Sequence, residues 1–396
     1  MRALFEPARL GALEIPNRIV RAGTSETMAD ERGAVTDDYV ALYETLARNE
    51  VGLIFTGHLY CAARGRYARR QTGIYADDLV LGLRRVTDAV HRHGGHIFAQ
   101  VAHAGSQSRV QAGPPPLAPS AVPNALTGRP VPAAGVEEIA EAVDAFAAGA
   151  RRAVEAGFDG VHIHGANGYL ISEFSSPVAN RRTDAWGGSA AARDRFALEV
   201  ARGVRSAVPE TMPVTMKLGM VDATPGGLGL QESVPRAARL VGAGLDGLEI
   251  SCGVMRLASD SARQYVAVDR RRAVEDLLPH RLLSQPAAEA YFLPWARAVR
   301  AAVDTRIVLV GGLRRTQTMD RIVRDGEADF VALSRPLIRE PDLVRQIARG
   351  RTGRVDCTSC NLCLLHEGHH ALRCWRTPRR NLLEHALFRL RGGLRH

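Results

Sequence analysis

The 396-residue sequence is almost without lysine: a single one, Lys217, stands against 51 arginines. Aromatics are scarce at 5%, and only two of the six cysteines, Cys61 and Cys252, lie outside the last tenth of the chain. Such sparse thiols cannot staple the body of the protein, so a disulfide scaffold is excluded. No apolar run approaches the roughly 20 residues that cross a bilayer, which excludes a membrane-spanning helix. The start, Met-Arg-Ala-Leu-Phe-Glu-Pro, places a carboxylate and a proline where an export signal needs an apolar block, so a cytoplasmic location is expected. The charge balance is 52 basic against 42 acidic side chains, a net +10. That invites a nucleic-acid partner. The arginine excess is spread along the chain, however, and no zinc-finger, helix-turn-helix or RNA-binding motif accompanies it. No nucleic-acid partner is expected, whereas anionic small molecules suit the basic surface.

What the sequence does have is alternation. Short apolar, β-branched runs recur at Arg18–Ala22, Gly52–Gly57, His96–Ala102, Gly160–His164, Pro213–Leu218, Gly247–Ser251, Arg306–Gly311 and Asp329–Ser334. Near-continuous apolar character suits parallel strands covered on both faces. Helical periodicity fills the intervals, as in Val136–Ala156, Leu293–Val303 and Thr318–Asp325. Eight strands alternating with helices predict a (β/α)8 TIM barrel over residues 1–350. A doubly wound nucleotide-binding sheet is disfavoured, because Gly227-Leu228-Gly229 follows no opening strand and lacks a third glycine. Residues Ala112–Ala134, with seven prolines, and Met255–Pro286 read as irregular rim loops. Residues 351–396 form a Cys-rich C-terminal extension. Its terminal helix, Arg380–Arg391, puts Leu382, Leu383, Ala386, Leu387 and Leu390 on one face, to pack on the barrel or to meet another subunit.

Barrel enzymes place their chemistry at the C-terminal ends of the strands. Polar residues gather at those positions in this sequence: Thr24 and Ser25, Gly57 and His58, Gln100, His164, Asn167 and Tyr169, Lys217, Gly311 and Gly312, Ser334 and Arg335. The glycine pair beside Ser334-Arg335 offers free backbone N–H groups and a guanidinium fork, a phosphate site where barrels usually carry one. Lys217 lies within a barrel strand, so its ammonium needs an anionic partner or a depressed pKa.

The segment from Gly157-Phe-Asp-Gly-Val-His-Ile-His-Gly-Ala-Asn-Gly-Tyr-Leu to Trp186-Gly-Gly-Ser189 resembles the signature of the Old Yellow Enzyme family. So do Asn17-Arg18-Ile19-Val20, Gln100 with His103-Ala104-Gly105, and Gly311-Gly312 with Ser334-Arg335-Pro336. The resemblance implies a barrel that holds FMN, is reduced by NAD(P)H and is reoxidised by an activated alkene, an enone, enoate or enoyl thioester. It implies that Ser25 touches the flavin near O4 and N5 and that Gln100 bonds the pyrimidine edge. Thr24, Gly57 and His58 would line the flavin through backbone atoms, with Lys217 beside N1 and O2. His164 and Asn167 would both donate to one substrate oxygen, with Tyr169 the proton donor. A homo-oligomer is also expected.

The tail carries Cys357-x2-Cys360-x2-Cys363-x10-Cys374. Outside an oxidising compartment such spacing reads as a metal site before disulfides. It is similar to the cluster loop of the trimethylamine dehydrogenase group within the family, which implies a [4Fe–4S] cluster. Zinc, with a ligand from His366, His369 or His370, and no metal at all remain alternatives. Two further functions stay open beside alkene reduction. One is a flavin-dependent amine or other substrate dehydrogenase or demethylase passing electrons out through the cluster; for the reductase, a cluster would need an external electron donor or be structural. The other is a cofactor-binding protein without turnover.

Overall fold

The computed structural model describes residues 2–110, 113–123, 128, 130–254 and 289–391. The expected rim loop Met255–Pro286 lies outside the described residues, as do parts of Ala112–Ala134. A hairpin that the sequence reading did not anticipate comes first: β1 (Ala8–Leu10) pairs antiparallel with β2 (Leu13–Ile15). The barrel strands follow as β3 (Ile19–Arg21), β4 (Leu53–Phe55), a two-residue β5 (Leu59–Tyr60), β6 (Ile97–Ala102), β7 (Gly160–Gly165), β8 (Val214–Gly219), β9 (Gly247–Ser251), β10 (Arg306–Val310) and β11 (Phe330–Leu333). Parallel pairing runs β3–β4–β6–β7–β8–β9–β10–β11 and returns to β3, which closes eight strands into a barrel. All eight expected strands are present, and β5 prolongs the second along β6. The protein is a (β/α)8 barrel with a short Cys-rich extension.

The helices on the outside are α1 (Asp37–Arg48), α2 (Val80–His91), α3 (Val136–Glu155), α4 (Leu170–Ser175), α5 (Ala190–Ala207), α6 (Leu230–Gly242), α7 (Leu293–Ala302), α8 (Thr316–Arg324), α9 (Arg335–Arg339) and α10 (Leu343–Ala348). Their starts carry the expected chemistry. Thr36 and Ser189 accept hydrogen bonds from Tyr39 N and Ala192 N, and Glu138 reaches back to Gly135 N at 3.0 Å. Apolar faces of these helices meet the outward residues of the strands in one continuous layer. Inside the barrel the floor is a second, smaller cluster: Val20, Leu53, Phe55, Phe98, Val308 and Phe330, plugged from below by Leu10 and Ile15 of the hairpin. The plug explains the hairpin. An open barrel end would expose those rings to water at about 25 cal/mol per Å².

The extension adds α11 (Leu362–Leu365) and α12 (Arg380–Leu390). Here the structure corrects the expected packing. Leu383, Leu387 and Leu390 are exposed, and the buried positions of α12 are Asn381 and His385. Asn381 donates to the carbonyls of Cys374 and Thr377, and His385 bonds His366 at 2.8 Å. Polar bonds to its own segment orient this helix, so the leucine face does not pack on the barrel.

Candidate active site

Above the apolar floor the barrel interior turns polar. On β7, β8 and β9 the inward residues are His162, His164, Thr215, Lys217 and Glu249, all buried. Lys217 Nζ donates to Glu249 Oε1 at 2.7 Å, and among the described residues this is its sole hydrogen-bond partner. Of the two expectations for the lone lysine, an anionic partner or a depressed pKa, the structure supplies the partner: Glu249, directly across the β8–β9 ladder. The carboxylate is fully buried, which pushes its pKa up. Lys217 first and His162 second outweigh that and hold it down at about 2. Nothing singled out Glu249 beforehand, although an acidic residue in the apolar strand Gly-Leu-Glu-Ile-Ser is itself a signal.

At the mouth, His164 Nδ1 accepts from Ala166 N at 3.4 Å, which assigns the ring proton to Nε2. Burial, reinforced by His58 and Lys217, holds its pKa well below the usual histidine value, so it stays neutral. Asn167 sits at φ 58°, and its Oδ1 accepts from Ser251 Oγ at 3.3 Å, leaving Nδ2 to donate. Tyr169 is 7% exposed, with its ring centroid 4.7 Å from that of His164. Burial first, then Tyr67 and Glu367, raises its hydroxyl well above the usual phenol range.

The resemblance gave His58 only a backbone role, but its side chain faces the mouth. Gln71 Nε2 donates to His58 O at 2.8 Å and lies 2.6 Å from His58 Nδ1, while Gln71 Oε1 accepts from Tyr67 N. An amide nitrogen can only donate, so Nδ1 accepts and the imidazole proton is on Nε2. That N–H lies 3.4 Å from Tyr169 Oη and 4.0 Å from Glu367 Oε1. Glu367 comes from the extension, between the cysteines. Its burial favours the neutral form, but His58, Arg109 and Ser25 prevail and keep it ionised. The tail is tied down beside it, with Leu372 N donating to Glu26 O at 2.8 Å and Thr27 Oγ1 to His370 O at 2.5 Å.

The remaining expected residues fall into two groups. The Thr24 hydroxyl lies 2.6 Å from that of Ser334. Gly311, Gly312, Ser334 and Arg335 do meet, around a cavity of about 100 Å³ that Arg314 and Cys357 also line. Gly311 and Gly312 adopt φ 108° and 72°, a region that favours glycine. Burial and the neighbouring Arg335 and Arg354 push the Arg314 guanidinium below its ordinary value. A cavity with converging guanidinium groups calls for an anion. The interior also fits a flavin: among the described residues Gln100 Nε2 is buried without a partner and two of the three Lys217 donors are unspent, and a Cβ on Gly23 would stand 2.5 Å from the Gln100 amide.

None of the four tail cysteines is in a disulfide and their thiols neighbour one another, with Arg339 Nη1 donating to Cys374 Sγ at 3.7 Å. Among the described residues no three His, Cys, Asp or Glu side chains converge tightly enough for a single metal ion. The loop that carries the first three of the tail cysteines is bent by left-handed Ser359 and Asn361.

A parallel barrel with a basic pocket beyond strands seven and eight is the frame of a phosphate-carrying cofactor enzyme. The chain belongs to the NADH:flavin oxidoreductase / NADH oxidase family, whose model matches residues 3–353. That family depends on FMN and NAD(P)H. Among its relatives is 4,4'-dithiodibutanoate disulfide reductase of Rhodococcus erythropolis, 35% identical over 375 residues, or 91% of this chain and 92% of the relative. An old yellow enzyme homologue from Zymomonas mobilis matches with TM-score 0.71 at 26% identity over 90% of this chain and 95% of that one. The fold is also that of a 2-naphthoyl-CoA reductase complex, with TM-score 0.84 and 24% identity. That match covers 96% of this chain but 58% of the other, so the present chain spans little more than half its length. Among the described residues no helix is long and apolar enough to cross a membrane.

Proposed function

We propose that the protein is an FMN-dependent ene-reductase that spends NAD(P)H on an activated carbon–carbon double bond. The observation that carries this reading is the mouth itself: His164 Nε2–H and Asn167 Nδ2–H are both left to donate, beside the protonated hydroxyl of Tyr169. Gln100, Lys217 and Ser25 would hold the isoalloxazine, with Gly311, Gly312, Arg314, Ser334 and Arg335 around the phosphate. Bound there, FMN supplies a two-electron relay that takes hydride from NAD(P)H and gives it to the alkene β-carbon. The protein's part is electrostatic and protic. His164 and Asn167 donate to the substrate carbonyl oxygen as it gains charge. Tyr169 keeps its proton at neutral pH and releases it to the α-carbon, while His58 Nε2–H steadies the phenolic oxygen left behind. A proton from solvent restores Tyr169, so each turnover consumes one NAD(P)H, one alkene and one proton. The test is a screen of enones, enoates and enoyl thioesters against protein first reduced with NADPH. Reoxidation by at least one class without oxygen is expected, and indifference to all three would reject the proposal.

The neighbouring thiols of Cys357, Cys360, Cys363 and Cys374 favour a second reading, in which a substrate is dehydrogenated and electrons leave through a [4Fe–4S] cluster to an external acceptor. Anaerobically purified protein would then contain about four irons and give a low-temperature EPR signal after dithionite. A well-folded, iron-free and EPR-silent sample would remove it.

A further inference from the structure

The cluster beneath the mouth carries more than one charge. Lys217 Nζ is 2.7 Å from Glu249 Oε1, and the other carboxylate oxygen, Oε2, is 2.9 Å from His162 Nε2. His162 is completed by Thr215 Oγ1, 2.8 Å from Nδ1, and by Phe55, whose ring stacks on the imidazole at 3.9 Å and 8°. All of these groups are buried, with Glu249 and His162 at 0% exposure. Burial holds the His162 pKa below its ordinary value and the ring neutral; Nε2–H then donates to Glu249, and the Thr215 hydroxyl donates to Nδ1 at 2.8 Å in preference to Val161 O at 3.5 Å. The set then holds one positive and one negative charge. Water is excluded from it, so neither charge is screened away.

We propose that Glu249 is a potential-setting residue: it cancels most of the Lys217 charge at the flavin and aims the ammonium, so that the flavin meets a near-neutral pair instead of a bare cation. The inference rests on the FMN reading above. It makes the two charges non-additive. Removing the lysine alone strands a buried carboxylate with His162 as its only remaining donor among the described residues, so Lys217→Met turns a near-neutral site into an anionic one. Removing the carboxylate alone, as in Glu249→Gln, leaves an uncompensated cation. Removing both returns the site to neutrality.

Spectroelectrochemical titration of the flavin-loaded protein reads this directly. Glu249→Gln should favour the reduced flavin over the oxidised by about tenfold, an upward shift of about 30 mV for a two-electron couple. Lys217→Met should shift the midpoint down, and the double variant should fall near the wild type. If Glu249→Gln does not fold, Glu249→Asp draws the carboxylate back by one methylene and should raise the midpoint by less. A purely structural role for the pair predicts lower melting temperatures with no movement of the midpoint. A flavin-loaded Glu249→Gln or Glu249→Asp protein with the wild-type midpoint would overturn the inference alone, whereas wild-type protein that binds no FMN would overturn the flavin reading beneath it.

Discussion

Tyr169→Phe should slow reoxidation of the reduced protein by alkene about 10²- to 10⁴-fold, the usual worth of a positioned general acid. The substitution removes one oxygen from a ring that is already buried and packed beside His164, so folding and flavin content should be retained. Reduction by NAD(P)H needs no proton from this hydroxyl and should change little. Stopped-flow measurement of the two half-reactions separates the outcomes. Equal loss in both would mean that Tyr169 shapes the mouth without donating a proton.

His164→Ala should cost about 10²- to 10³-fold in the same half-reaction, the range found for removal of one oxyanion donor. Here the pH dependence is informative. Burial, His58 and Lys217 hold the His164 pKa well below the ordinary value, so the ring is neutral on both sides of pH 6.5 and Nε2–H donates throughout. Its titration lies on the acid side of the ordinary histidine value, and alkene-dependent reoxidation should show no histidine inflection from it near that value. A wild-type rate that rises or falls through an apparent pKa near 6.5 and becomes flat in His164→Ala would contradict the neutral assignment.

The barrel was legible in the sequence because parallel strands covered on both faces are written as apolar runs, and each of the eight is present. The β1–β2 hairpin was not, since three-residue strands around Gly11 leave too short a pattern and serve to close the barrel floor. Lys217 was legible through its rarity, and its need for a counter-charge pointed to a partner without naming it. Glu249 emerges only when β8 and β9 are set in register. The leucines of α12 misled for a related reason: an apolar stripe says that a face can be buried, and here Asn381 and His385 turn the opposite face inward. The orientation of the His58 side chain depends on Gln71, thirteen residues further along the chain, which no local pattern reveals.

The family match ends at residue 353, and Glu367 lies beyond it. The barrel brings a mouth lined by neutral donors and aromatic rings, and the tail then adds an ionised carboxylate within 4.0 Å of His58. Membership of the family therefore says what the catalyst is made of but leaves open the sign of the charge a guest first encounters. Two proteins with interchangeable barrels and different last forty residues would set different charges beside the same donors. In this chain a carboxylate beside His58 comes from a segment outside the residues that the family model matches.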